Sequence, residues 1–228
     1  INIESTTGNE AKIGTFLSKY LEAAGFAVKQ LPIKDNRFNV LAQIGQAKII
    51  LQAHIDVVPP FIPASENKTY IYGRGACDTK GSMASMIIAA QQAKARGLKD
   101  FGLLFTVGEE VDFAGALAAQ SLVKDLQAFL IVGEPTQLKP ITSHYGLLVL
   151  SLVCSGKAAH SSEPALGENA IDKLISVLNN QVKKLQVYND TLMSVVQIAG
   201  GVADNIIPDK AEALLSLRIA PRDNNDYA

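Results

Sequence analysis

The sequence has no tryptophan, two cysteines and three histidines in 228 residues. Cys77 and Cys154 form no CxxC pair and are too few for a disulfide framework, so a reducing cytoplasm is the expected compartment. Charge is nearly balanced, at a formal net of -1, and no basic stripe is visible. Nucleic acid and anionic membrane surfaces are therefore not expected partners. The apolar runs are no longer than strands, so no segment is expected to span a bilayer. The chain opens on Ile1 with no initiator Met and no signal-peptide pattern, which reads as a trimmed start.

A large apolar fraction is present. At 48% hydrophobic residues the chain can bury a full core, as one large domain or two smaller ones. Strands and helices alternate through the first half. "NEAKIGTFLSKYLEAAGF" has helical spacing and stops at Gly25, and "AVKQLPI" and "NVLAQIG" read as strands. "AKIILQAHIDVV" starts as a buried-type strand, "KGSMASMIIAAQQAKARG" reads as a helix and "FGLLFTV" as a strand. "AGALAAQSLVKDL" is then a helix and "AFLIVGEP" a strand. This pattern predicts an α/β domain, with a mostly parallel sheet and helices on both faces. Past Ser143–Gly146 it changes to strand, helix, strand, strand, which predicts a small α+β unit. The expected domains are 1–144 and 145–228. "NAIDKLISVLNNQVKKL" is read as one long amphipathic helix of the second.

Three apolar strands end in potential metal ligands. "KIILQA" runs into His54 and Asp56, "GLLFTV" into Glu109 and Glu110, and "AFLIV" into Glu134. Sites in open α/β sheets collect at the carboxyl ends of strands. Asp78, in the glycine-rich "YGRGACDTKG", sits at a loop-to-helix junction. Gathering these acids without a cation is electrostatically costly. One imidazole with several carboxylates suits zinc, manganese or cobalt, and the surplus carboxylate points to a dinuclear site. One of the two adjacent glutamates can ligate while the other serves as general base, and spacing alone does not assign which. Blander roles exist for each residue. His54 could be a satisfied core histidine, Asp78 a helix N-cap, Glu109 and Glu110 a solvated strand end, and Glu134 a loop acid. Cys77 reads as a small buried residue rather than a nucleophile, and His144 as a loop histidine.

The stretches "AHIDVVP", "YGRGACDTKGSMASM", "GEEVDFAGA", "VGEPT" and "GKAAHSSEPALGENAI" stand in the order found in a known family. The chain resembles the zinc metallopeptidases and amidohydrolases that include acetylornithine deacetylase, succinyl-diaminopimelate desuccinylase, aminoacylase and glutamate carboxypeptidase. "GEPTQLKPITSHYG" leading into "GKAAHSSEPALGENAI" looks most like the acetylornithine deacetylase branch. The resemblance implies a zinc-aminopeptidase-like catalytic domain with a ferredoxin-like lid and dimerisation domain. It implies two zinc ions, with cobalt or manganese as substitutes. His54 and Glu134 would hold the first zinc, Glu110 the second, and Asp78 would bridge them across a cis Asp78–Thr79 peptide. Asp56 would orient His54, and Glu109 would be the general base. His160 would stabilise the oxyanion, often across a homodimer. Asn205 and Arg218 would contact the substrate carboxylate, Arg218 through its bidentate fork.

The implied activity is hydrolysis of an N-acyl-amino acid, with dipeptidase, carboxypeptidase or desuccinylase activity as alternatives. The family pattern continues beyond the lid to a last histidine for the second zinc. The histidines here are His54, His144 and His160, so the second set lacks one ligand in this chain. An inactive or metal-depleted module is the reading from another class.

Overall fold

The computed structural model describes residues 1–182 and 191–221. They fall into two units, Ile1–Lys139 and Pro140–Ala228. The first unit begins with helix α1 (Ala11–Ala23) and strands β1 (Ala27–Pro32), β2 (Phe38–Ile44) and β3 (Ile49–His54). A short hairpin follows, β4 (Ser65–Glu66) and β5 (Ile71–Tyr72), then helix α2 (Lys80–Ala95). Strand β6 (Phe101–Thr106), helix α3 (Ala114–Leu126) and strand β7 (Phe129–Val132) complete it.

The sheet order is β1-β2-β6-β3-β7. Strand β3 pairs in parallel with β6 and β7, whereas β1 with β2 and β2 with β6 are antiparallel. The sheet is thus mixed, not mostly parallel as the sequence pattern predicts. Connection length explains the difference. Strands β1 and β2 are joined by residues 33–37 alone, too few for the crossover that a parallel neighbour needs. Parallel pairing is confined to β6, β3 and β7, whose connections carry helices α2 and α3.

Helices do cover both faces. Ile13, Leu17 and Leu21 of α1 and Met83, Ile87 and Ala90 of α2 pack with Val40, Ala42, Ala53, Leu103 and Phe105. Ala119 of α3 packs with Leu41, Ile50 and Leu104 on the other side. Val40 and Ala42 face one layer and Leu41 the other, the two-residue alternation of a strand. Core residues on both sides leave β6 almost wholly buried.

The second unit is a three-stranded antiparallel sheet, β8 (Gly146–Ser155), β10 (Lys210–Ile219) and β9 (Leu192–Gly200) in that order. Ala170 and Leu174 of helix α4 (Ala170–Val177) pack on Ala211 and Ala213 of β10. Asn169 caps that helix, its side chain accepting from the backbone nitrogens of Ile171 and Asp172. The long helix expected here is α-helical only to Val177, and Leu178–Val182 winds as a π-helix. Leu178, where the winding changes, packs against both apolar clusters of this unit. Residues 183–185 of the predicted helix lie outside the described ones. No helix among the described residues is long and apolar enough to cross a membrane.

Candidate metal centre

Parallel register brings the strand ends together. His54 of β3 lies opposite Thr106 of β6, and Gln52 lies opposite Val132 of β7. Continuing these strands by two to four residues brings Glu109, Glu110 and Glu134 to His54. Two side-chain hydrogen bonds reinforce the alignment. Gln52 donates to the Thr106 hydroxyl at 2.8 Å, and buried Thr79 donates through its hydroxyl to the Gly133 carbonyl. The second bond ties the turn that carries Asp78 to the strand end that carries Glu134.

His54 is 1% exposed. Its Nδ1 donates to the Asp56 backbone carbonyl at 3.0 Å, which directs Nε2 into the acidic cluster. Nε2 lies 3.0 Å from Asp78 Oδ1, 3.9 Å from Glu134 Oε1 and 4.0 Å from Glu109 Oε2. One ligand atom from each of His54, Asp78 and Glu110 falls within 4.8 Å of the other two. The Asp78–Thr79 peptide is cis. Asp78 does not cap α2; that position belongs to Thr79, whose side chain makes no cap bond.

Electrostatics confirm the crowding of like charge. Burial pushes the Glu134 carboxyl up, and Asp78, Glu109 and Glu110 push it further against the pull of His54, to about 7. Burial and then Asp78 raise the Glu110 carboxyl as well. Burial works to lower the His54 pKa, but Asp56, Asp78 and Glu134 outweigh it and raise it to about 9. Several acids thus crowd a single imidazole. This donor set fits divalent cations: nitrogen and carboxylate oxygens, no thiolate, and a histidine whose other nitrogen is held by a carbonyl. Cys77 is exposed, not buried as the sequence suggests, because it lies on the turn leading to Asp78.

The Asp56 side chain has a wider role than orienting His54. Its Oδ1 is 3.5 Å from His54 Nδ1, beyond the closer contact through its own carbonyl. Its carboxylate accepts from the Thr7 hydroxyl at 2.8 Å and from the backbone nitrogens of Glu109 at 3.0 Å and Glu110 at 3.2 Å. Burial works to raise the Asp56 carboxyl; His54, Thr7 and these amides together hold it below the usual carboxylate range. Asn39 braces the same loop, accepting from the Val107 nitrogen and donating to the Gly115 carbonyl. Thr7, Asn39 and Thr79 escape motif reading because each acts through bonds to residues remote in sequence.

His160, Asn205 and Arg218 belong to the second unit. His160 forms an antiparallel bridge with Ile206, and the Ser161 nitrogen donates to the Asn205 carbonyl at 2.9 Å, so His160 and Asn205 share one corner. His160 Nδ1 lies 2.7 Å from the Ser162 hydroxyl and accepts from the Ser162 nitrogen at 3.2 Å. Arg218 is not at that corner. It lies eight residues along β10 from Lys210, roughly 27 Å of strand at the usual rise. His144 is exposed, with Nδ1 2.9 Å from the Tyr145 carbonyl.

Comparison with known proteins agrees with this geometry. Residues 50–201 match the model of peptidase family M20/M25/M40. A probable carboxypeptidase from Aspergillus terreus is 36% identical over 253 residues, covering 96% of this chain and 58% of the relative. A tripeptidase from Staphylococcus aureus superposes with a TM-score of 0.77 at 26% identity, covering 96% of this chain and 64% of that one. A dinuclear metal-binding peptidase of the M20 family from Bacillus subtilis shares the fold, with a TM-score of 0.63 at 20% identity and coverage of 95% and 60%. The chain spans about six-tenths of the length of the curated relatives it matches. The match includes every strand end that supplies an acid or imidazole to the cluster, and the chain belongs to peptidase family M20/M25/M40, a family of metallopeptidases.

Proposed function

We propose that the full-length protein is a divalent-metal-dependent exopeptidase of the carboxypeptidase type, acting on short peptides. The observation that carries this reading is the cluster itself, three donors within 4.8 Å of one another with Glu109 and Glu134 beside the same ring nitrogen. The choice of peptide over N-acyl-amino acid rests on relatives at about one-third identity that are named probable carboxypeptidases. Deacylation of an N-acyl-amino acid is the second reading, favoured by the "GEPTQLKPITSHYG" stretch.

His54, Asp78, Glu110 and Glu134 would hold the metal, with Asp78 between two ions. Zinc is proposed as the native ion, with cobalt or manganese as substitutes. A pair of ions is supported by the carboxylate surplus and by the Bacillus subtilis relative, which is described as dinuclear. Bound there, divalent cations polarise a carbonyl and lower the pKa of water. Glu109, whose side chain is 43% exposed beside the cluster, would take a proton from the attacking water. Oxygen bonds to the scissile carbon, the carbon–nitrogen bond breaks, and Glu109 returns the proton to the departing amine. His160 would donate through Nε2 to the oxygen that gains charge, with Asn205 beside it, in a homodimer built through the second unit. Arg218 would bind the substrate carboxylate elsewhere, since it does not share that corner.

The test is metal-dependent release of the C-terminal residue from N-blocked dipeptides by the full-length protein, beside N-acetylornithine. Peptide cleavage that a chelator abolishes and zinc restores is expected. Turnover of N-acetylornithine alone would move the assignment to the deacylase reading. No hydrolysis of either by metal-loaded protein would end both.

A further inference from the structure

The turn carrying Glu109 and Glu110 is held from two sides, and only one side belongs to the metal cluster. On the near side, Asp56 accepts both glutamate amides. On the far side lies Arg37, in the last position before β2 and only 9% exposed. Its Nη1 donates to Asp112 Oδ2 at 2.8 Å, and its Nη2 and Nε donate to Glu10 at 2.9 and 3.2 Å. Glu10 is itself buried, and it also accepts from the Gly8 nitrogen at 2.9 Å. Burying a guanidinium with a carboxylate costs desolvation that the pair recovers poorly, so stability alone is a weak reason for it.

The turn is shaped around this pair. Gly108 has φ +76°, and a Cβ there would overlap Asp112 Oδ1 and Arg37 Nη2. The Gly108 carbonyl accepts from the nitrogens of Asp112 at 3.1 Å and Phe113 at 2.6 Å. Glu109 and Glu110 are therefore the tip of a closed turn. Its first residue, Gly108, rests on the Arg37–Asp112 pair and its fifth supplies the acid of that pair.

We propose that Arg37 is a positioning residue for the glutamate pair, setting through Asp112 where Glu110 meets the metal and where Glu109 meets the water. Arg37 does not touch the reacting atoms. A lysine cannot replace it fully, because a single ammonium lacks the fork that reaches Glu10 and Asp112 together. The kinetic part of this inference rests on the proposed peptidase function; the metal-geometry part does not.

The experiment uses the full-length protein loaded with cobalt, whose visible spectrum reports ligand geometry. Arg37→Met and Asp112→Ala are each expected to alter that spectrum and to lower kcat roughly 10- to 100-fold, a usual cost of losing an outer support of a metal site. KM should change by less than about threefold, since ground-state binding is untouched. The double variant should be no worse than Arg37→Met alone, because both changes break one link. Arg37→Lys should recover part of kcat. If Arg37→Met does not fold, Asp112→Ala, at a position whose side chain is 43% exposed, decides. A folded Asp112→Ala protein with the parent spectrum and parent kcat overturns the proposal. If the parent cleaves no peptide, the proposed function fails and the cobalt spectra alone judge Arg37. A parent that binds no cobalt overturns both.

Discussion

The Asp56 carboxylate lies 3.0 Å from the backbone nitrogen of Glu109 and accepts its hydrogen. Fifty-three residues separate the two in sequence. The bond joins the loop after β3, which presents His54, to the turn after β6, which presents the glutamate pair. Asp56 is fully buried and takes three further contacts, from Thr7, Glu110 and His54, so its charge is shared among groups that must all keep their places.

Asp56→Asn should therefore disturb more than one ligand. An amide presents one acceptor and one donor, and the donor would face an N–H that needs an acceptor. A stability loss of about 1–3 kcal/mol is expected from the unsatisfied group. Metal affinity should fall roughly 10- to 100-fold. Thermal unfolding and a metal titration of the same variant check both.

Glu109→Gln separates binding from chemistry. The variant should keep its full metal content, because Glu109 is not needed to complete the compact donor group of His54, Asp78 and Glu110. Its kcat on a peptide substrate should drop by about 100-fold or more, the usual share of a general base. Elemental analysis beside steady-state kinetics reads the two quantities. A variant with near-parent kcat removes Glu109 from the mechanism.

Metal removal should destabilise the protein. A ligand at about 100 times its Kd contributes about 2.7 kcal/mol to the folded state. Dialysis against a chelator should lower Tm, and added zinc should restore it. In His54→Ala the zinc-dependent increment should largely disappear, since the one nitrogen donor of the cluster is gone.

Thr79→Val tests the link between the Asp78 turn and β7. The exchange is nearly isosteric but removes the hydroxyl that donates to the Gly133 carbonyl. A loss of about 1–3 kcal/mol is expected from leaving that buried acceptor unpaired. A weaker hold on Glu134 should also lower metal affinity, which calorimetry would measure. Unchanged metal affinity in a destabilised variant would limit Thr79 to a structural part.

Much of the first unit was legible because strand and helix periods are local. Ile13, Leu17 and Leu21 repeat at helical spacing, and Val40, Leu41 and Ala42 alternate between layers, whatever the rest of the chain does. Strand direction was less legible. Continuous apolar runs announce burial on both faces, and β2 is buried on both faces while antiparallel to its neighbours. The break from α-helix to π-helix at Leu178 was hidden for a similar reason: the apolar spacing continues across it.

By itself, the sequence determined which chemistry is available: one imidazole and a set of carboxylates, set where apolar strands run out or, for Asp78, where a loop enters a helix. That follows from local composition and from the electrostatic need of clustered acids for a cation. Tertiary structure alone decided how they meet. The register of His54 with Thr106 and of Gln52 with Val132 sets the spacing of the ligands. The bonds of Arg37 to Glu10 and Asp112, 27 and 75 residues away, hold the turn that carries two of the acids. Such pairings depend on chain-reversing loops and sheet order. No local period encodes them, so Glu109 and Glu110 could be noticed in the sequence but placed only in the fold.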